Sequence, residues 1–304
     1  TWGHGRIITQ MQQQQDMYKF IHDQTLRLAN LGYTPREIAE QLQLPNSLAK
    51  NFHVRGYYGT LSHNSKAVYQ HYFGWYDGNP ANLNPLPPEQ SATRYVEFMG
   101  GSGAILQRAS DYMAQGDYRW VGEVLNHLVF AEPNNIAARE MLAAAYRQMA
   151  YQAESGPWRD IYLSGAVELI SGKVKKGYSK AGSDAFLQEV PLLQFMKALS
   201  VQLDAGKAEG ESLKLNVLFT ERKQNFVLTI RNSVMYYREA PVDETADVSI
   251  NTTQKMFVGI LLGQVGIKEM ISSEQLSVDG SMLKLLKFFS LLGESNEDFQ
   301  IVFP

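Results

Sequence analysis

Gly116–Asn135 reads GDYRWVGEVLNHLVFAEPNN, and how it is read decides the class of the first half of the chain. Gly-Asp-Tyr opens a helix, Pro-Asn-Asn closes it, and the apolar residues between them return at helical steps. The helix before it carries a small Ala109 and a large Tyr112. The helix after it places Leu142, Ala143 and Tyr146 at matching offsets, a period of about 34 residues. Roughly one and a half such units cannot bury their apolar faces alone, so these helices must stack on neighbouring helices or on a second subunit.

Outward toward the start of the chain, the same periodicity spans Gln10 to Leu31, through Met17, Phe20, Ile21, Gln24 and Leu28, with Gly32 as the stop. Thr34-Pro35-Arg36-Glu37 predicts a second helix, with Thr34 as cap, Pro35 at the first helical position and Glu37 completing a capping box. TPREIAEQLQLP could open a DNA-binding helix-turn-helix. The following NSLAKNFHVRGYYG, however, offers one or two turns with a single Lys, and the net charge is −3 with no basic run, so nucleic acid is not an expected partner. Residues 10–170 therefore read as an all-helical block of tetratricopeptide-like helix pairs.

Within that block, Arg55–Pro80, RGYYGTLSHNSKAVYQHYFGWYDGNP, crowds tyrosines, glycines, two histidines, Phe73 and Trp75 together. A surface loop seldom carries so much aromatic mass, and a helix core seldom tolerates so much glycine. Arg55 to Gly59 predicts a tight turn. Ser62 or Asn64 is expected to cap a helix from about Ser65 to Tyr76, whose N-terminal N–H groups face the turn, where an anion could sit. An aromatic core corner with its polar tips satisfied internally is the competing reading. His63, beside Asn64, is the histidine to watch, against the alternative of a core histidine bonded to backbone; His22 and His127 lie in helix patterns and read as structural.

Around Ser171–Gly182, GKVKKGYSKAGS is basic, glycine-rich and aperiodic, and reads as a linker. An amphipathic helix is expected over Leu187–Leu203. Strands follow at Leu213–Phe219, Phe226–Ile230, Val234–Arg238 and Val248–Asn251. A helix from Gln254 to Leu262, a short one near Ile267–Ile271, a strand at Gln275–Gly280 and a helix from Met282 to Leu292 complete the pattern. Consecutive antiparallel strands followed by helices predict an α+β domain with helices on one face. Its apolar inventory, including Met256, Phe257, Ile260, Met270, Leu285 and Phe289, exceeds what short helices usually bury, and a Met-rich lining suits an apolar ligand.

With 304 residues, 44% of them hydrophobic and 19% charged, the chain can fill two cores. It has no cysteine, which excludes disulfides, zinc–thiolate sites and cysteine nucleophiles. No apolar run is long enough to span a bilayer. No GxSxG or phosphate-loop motif occurs, and none of the six histidines forms an HxH or HExxH pair, so no complete metal or catalytic site is expected within this chain. The opening TWGHGRIITQ resembles the interior of a folded protein and suggests that an upstream part is absent.

DMYKFIHDQTLRLANLGYTPREIAEQLQLP, RGYYGTLSHNSKAVYQHYFGWYDGNPANLNPLPP and RYVEFMGG, in this order, closely resemble the SdsA-type alkyl sulfatases of the metallo-β-lactamase fold, over most of residues 1–155. ADVSINTT and LSVDGSMLKLLKFFSLL are similar to the sterol-carrier-protein-2-like domain that ends that family. The resemblance implies four parts: residues 1–14 as the end of a missing metal domain, 15–170 as a helical dimerisation domain, 171–182 as linker, and 183–304 as the lipid-carrier-like domain. It implies a homodimer through the helical domain, alkyl sulfate or other apolar small molecules as ligands, and a periplasmic or secreted setting. It also implies two zinc ions whose ligands lie outside this chain, with no metal held by the chain alone; His4 is not assigned as a ligand. Arg55, Tyr57, Tyr58, His63 and Asn64 are the candidates for contacting the sulfate. Met256, Phe257, Ile260, Met270, Leu285 and Phe289 are the candidates for the alkyl tail. A non-catalytic carrier of lipids or fatty tails is the alternative.

Overall fold

The computed structural model describes residues 1–172, 189–266, 273–293 and 299–304. The chain divides into two compact units, one of residues 1–174 with 298–304, the other of residues 175–297. Past Gly172, the linker read at 171–182 lies outside the described residues, as do the start of the Leu187 helix, the short Ile267–Ile271 helix and Met270.

The first unit is helical, as GDYRWVGEVLNHLVFAEPNN and its neighbours required. Its elements are α1 (His4–Ala29), α2 (Pro35–Gln41), α3 (Asn46–Ala49), a 3₁₀ turn (Phe52–Val54), α4 (Leu61–Phe73), a second 3₁₀ turn (Pro80–Asn82), α5 (Pro88–Phe98), α6 (Gly101–Gln115), α7 (Tyr118–Ala131), α8 (Ile136–Gln152) and α9 (Gly156–Ser171). Local signals set the ends. The Thr34–Glu37 capping box forms at α2, with Glu37 Oε2 accepting from the Thr34 N–H at 2.8 Å. Asp117 caps α7 and Asn135 caps α8, each accepting from a first-turn N–H. Helices α5 to α9 enclose one core in which Leu125, Leu128 and Leu142 are fully buried. Small residues admit large ones there: the Tyr146 ring lies within van der Waals reach of where side chains on Gly122 and Gly165 would begin. A smaller cluster of Leu28, Ile38 and Leu42, with Phe20, Leu61 and Tyr69, joins α1, α2 and α4.

The second unit has α10 (Leu192–Ser200), β1 (Leu213–Phe219), β2 (Gln224–Arg231), β3 (Val234–Glu239), β4 (Val248–Thr252), α11 (Gln254–Leu261), β5 (Leu276–Gly280) and α12 (Met282–Ser290). The five strands lie in the order β3-β2-β1-β4-β5. Alternation places the strands but not their partners. β1, β2 and β3 form the expected antiparallel meander, whereas β4 pairs with β1 in parallel, Val217 opposite Ile250, so the sheet is mixed. The β2–β3 hairpin turns on Asn232 and Ser233 at φ 50° and 58°, the left-handed pair that a two-residue hairpin demands. Because side chains alternate, Leu213, Leu215, Val217 and Phe219 share a face with Phe226, Leu228, Ile230, Val248 and Ile250. α10, α11 and α12 cover that face with Phe195, Met196, Phe257, Leu285 and Phe288.

Candidate functional site

The Arg55–Gly59 turn is fixed from below and behind. Val54, buried at the end of the first 3₁₀ turn, anchors its entry. The Tyr57 N–H donates back to the Arg55 carbonyl at 3.0 Å, which tightens the chain. The two tyrosine carbonyls are held by the start of α9: the Gly156 N–H donates to Tyr57 O at 2.8 Å, and the Ser155 hydroxyl donates to Tyr58 O at 2.5 Å. Ser155 is itself buried, and its oxygen also caps α9 by accepting from the Trp158 N–H. With its backbone tied down, the turn presents Tyr58 outward, 82% exposed.

α4 begins earlier than expected. Thr60, not Ser62 or Asn64, is its cap, accepting from the His63 N–H at 2.9 Å; Ser62 and Asn64 lie inside the first turn, and the helix ends at Phe73 rather than Tyr76. Gly74, at φ 78°, is the stop. This start seats Asn64 over the turn. A Cβ on Gly59 would fall 2.7 Å from the Asn64 amide oxygen and 2.9 Å from its nitrogen, so glycine there makes room for the amide.

Between α1, the 3₁₀ turn, the Arg55–Gly59 turn and α4 lies a cavity of about 500 Å³. Met17, Ile21, Leu44, Leu61 and Val68 supply apolar walls, while His53, Arg55, Tyr58 and Asn64 supply polar ones. Three of the five sulfate-side candidates thus come together. The other two do not. The Tyr57 ring packs on Phe52 at 4.9 Å with the Arg55 guanidinium over it at 5.5 Å, and His63 is exposed without lining the cavity. Arg55 is also ion-paired with Glu154, a carboxylate with which any anion in the cavity would compete for the guanidinium. His53 was not legible as a site residue. Its Nε2 is buried without a hydrogen-bond partner, an arrangement that carries a cost unless a ligand or water meets it. The available signal was its place two residues before the turn.

His22 and His127 have structural partners. His22 Nε2 pairs with the Tyr72 hydroxyl at 2.8 Å, linking α1 to α4. His127 stacks on Tyr95 at 4.4 Å, and burial lowers its pKa, favouring the neutral ring. In the second unit, Met256, Phe257 and Leu285 are buried in the core, with Ile260 and Phe289 packed partly buried against it. The Phe257 ring meets Phe219, Phe289 and Phe195 at 5.8, 5.9 and 6.0 Å. Five of the six tail-side candidates therefore gather on one side of the sheet. Among the described residues no three His, Cys, Asp or Glu side chains converge, so those residues do not fit a zinc centre. Nor is any helix among them long and apolar enough to cross a membrane.

Residues 34–172 match the family model described as alkyl sulfatase dimerisation, and residues 180–304 match that described as alkyl sulfatase C-terminal. The alkyl/aryl-sulfatase BDS1 of Saccharomyces cerevisiae is 44% identical, across all of this chain and 47% of its own length. A linear primary-alkylsulfatase of Pseudomonas sp. is 43% identical, across all of this chain and 45% of its own length. The solved structure of the stereoselective inverting sec-alkylsulfatase Pisa1 from Pseudomonas sp. superposes with a TM-score of 0.94 at 39% identity, covering all of this chain and 48% of that one. The chain thus spans about half the length of the relatives it matches. The dimerisation-domain and C-terminal-domain matches, covering nearly all of the sequence, place this chain in the alkyl sulfatase family.

Proposed function

We propose that this chain supplies one wall of the active site, the subunit contact and the apolar capture surface of an enzyme that hydrolyses linear alkyl sulfate esters, such as dodecyl sulfate, to alcohol and sulfate. The convergence of Arg55, Tyr58 and Asn64 on a cavity whose other walls include the aliphatic side chains of Met17, Ile21, Leu44, Leu61 and Val68 carries this reading. A sulfate ester is an anion on an alkyl chain, and the cavity offers a guanidinium, a phenol O–H and an amide N–H beside aliphatic walls. Donors held in place before the ester arrives stabilise charge that grows on sulfate oxygens as the bond to the alcohol breaks. The Ser155 and Gly156 hydrogen bonds provide that rigidity. In this reading the water-activating metal centre belongs to sequence upstream of Thr1. The helix pairs are tetratricopeptide-like, Ala109 and Ala143 being the small buried residues between helices, and the second unit is a sterol-carrier-protein-2-like module that gathers alkyl tails beside Ile260 and Phe289. Exposed Tyr58, Tyr72 and Trp75 then become covered by the upstream part or by a second copy, the enzyme being a homodimer.

The test is dodecyl sulfate hydrolysis with zinc, by this chain and by a chain extended upstream to the length of the relatives. The extended chain turns over and this one does not; hydrolysis by this chain alone would overturn the division of labour. Arg55→Gln and Tyr58→Phe in the extended chain lower kcat/KM by about 10²-fold, the loss typical of one anion-stabilising donor, with little change in melting temperature. A fall in stability with unchanged turnover would make the turn a packing corner. Sedimentation of the extended chain gives two copies per particle; a monomer would refute the dimer.

A further inference from the structure

The first unit is not finished when α9 ends. The segment Phe299–Pro304 returns to it from the second unit and lies against α8 and α9. Glu168 Oε1 accepts from two successive backbone N–H groups, Ile301 at 2.6 Å and Val302 at 3.0 Å, across more than 130 positions of sequence. Val302 packs where α9 has Gly165; a Cβ there would come within 3.3 Å of the valine side chain. The Phe303 ring, 7% exposed, enters the core formed by Leu142 and Leu169, with the Arg139 guanidinium 4.5 Å above it. Arg139 is held for this by its own Nε–H, which donates to Leu169 O at 2.7 Å. Ile301, by contrast, is 70% exposed and contributes its backbone.

A carboxylate facing paired N–H groups, a glycine opposite a β-branched residue and a guanidinium over an aromatic ring together make a sequence-selective peptide seat. We propose that the helical unit carries a binding groove for an apolar peptide of the Ile-Val-Phe-Pro type, and that this chain's own last segment is its ligand in cis. The seated segment completes the helical core, and it makes the second unit a loop whose chain both leaves and re-enters the helical unit. The groove reads backbone at residues 301 and 302 and side chains at 302 and 303. It therefore accepts the same peptide when that peptide is supplied as a separate molecule.

The experiment removes residues 299–304 and follows hydrogen exchange in α8 and α9, with and without the synthetic acetylated peptide FQIVFP. Exchange in both helices rises about tenfold or more on truncation, as expected when a buried contact is lost from a cooperative unit, and the peptide reverses it saturably. A peptide with Ala in place of Phe303 does not reverse it. In the full chain, Phe303→Ala reproduces the rise, which covers the case of a truncated chain that fails to fold, whereas Ile301→Ala leaves exchange unchanged. Unaltered exchange in the Phe303→Ala chain, or no saturable effect of the peptide on a folded truncated chain, would overturn the proposal. Neither readout involves turnover, so the outcome is independent of the enzymatic reading.

Discussion

Asp243 shows how far a few hydrogen bonds move one side chain. The Thr245 hydroxyl and N–H donate to its carboxylate at 2.6 and 3.0 Å, and the Lys214 ammonium donates at 3.1 Å; together they hold its pKa at about 2, below its ordinary 3.8. Its backbone also exchanges hydrogen bonds with the buried Asn216, tying the loop after β3 to the sheet. A carboxylate with a lowered folded pKa stabilises the fold above its unfolded pKa, and that contribution disappears as pH falls through the folded one. Asp243→Asn is therefore expected to lower the melting temperature at pH 7, with the difference from wild type closing between about pH 4 and pH 2. A difference unchanged at pH 2 would show that the loop does not depend on the charge. Gly59 poses a second residue-scale question. Because the Asn64 amide occupies the space a methyl group would need, Gly59→Ala forces that amide to rotate away. In the extended enzyme this lowers kcat/KM about tenfold or more if the amide touches the sulfate, since a misplaced donor no longer meets the developing charge. Equal turnover would remove Asn64 from the binding wall.

The elements that were legible in the sequence were those whose signal is local. Thr34-Pro35-Arg36-Glu37 announces α2 because cap, proline and glutamate act within one turn, and Gly116-Asp117 does the same for α7. The strand faces followed from alternation at Leu213, Leu215, Val217 and Phe219. What failed was partner choice: nothing in Val248–Thr252 distinguishes a parallel neighbour from an antiparallel one, because pairing direction is set by how the chain crosses over. α4 failed for a subtler reason. Thr60, Ser62 and Asn64 are all competent caps, and only the turn before them selects Thr60. The cavity was half legible: Arg55, Tyr58 and Asn64 lie within one motif, whereas Tyr57 and His63 in the same motif turn away, and His53 enters through tertiary burial that sequence does not encode locally. Ser155 is the clearest case of a residue joining two elements, since its one hydroxyl caps α9 and pins the Tyr58 carbonyl. Ser155→Ala removes both, taking the hydroxyl partner from the Tyr58 carbonyl and from the Trp158 N–H. The expected loss is about 1–3 kcal/mol of stability, read from denaturant unfolding at constant m-value. Ser155→Thr, which keeps the hydroxyl, recovers part of it; a neutral Ser155→Ala would show that the turn is held by Gly156 alone.

At the scale of the molecule, the two cores have separate membership: Leu125, Leu142 and Leu169 belong to one, Phe219, Phe257 and Phe288 to the other. Separate cores predict separable stabilities, because a cavity opened in either cluster is lined by members of that cluster. Phe257→Ala removes a fully buried ring that touches three other phenylalanines, a change that typically costs about 3–5 kcal/mol. Leu125→Ala, at an equally buried position in α7, typically costs about 2–5 kcal/mol. The expected result is reciprocal. Phe257→Ala raises hydrogen exchange in β1, β2 and α11 while leaving α7 and α8 at wild-type rates, and Leu125→Ala does the reverse. The double variant then shows the sum of the two losses within about 0.5 kcal/mol. An interaction energy well above that limit would mean that the units unfold as one body.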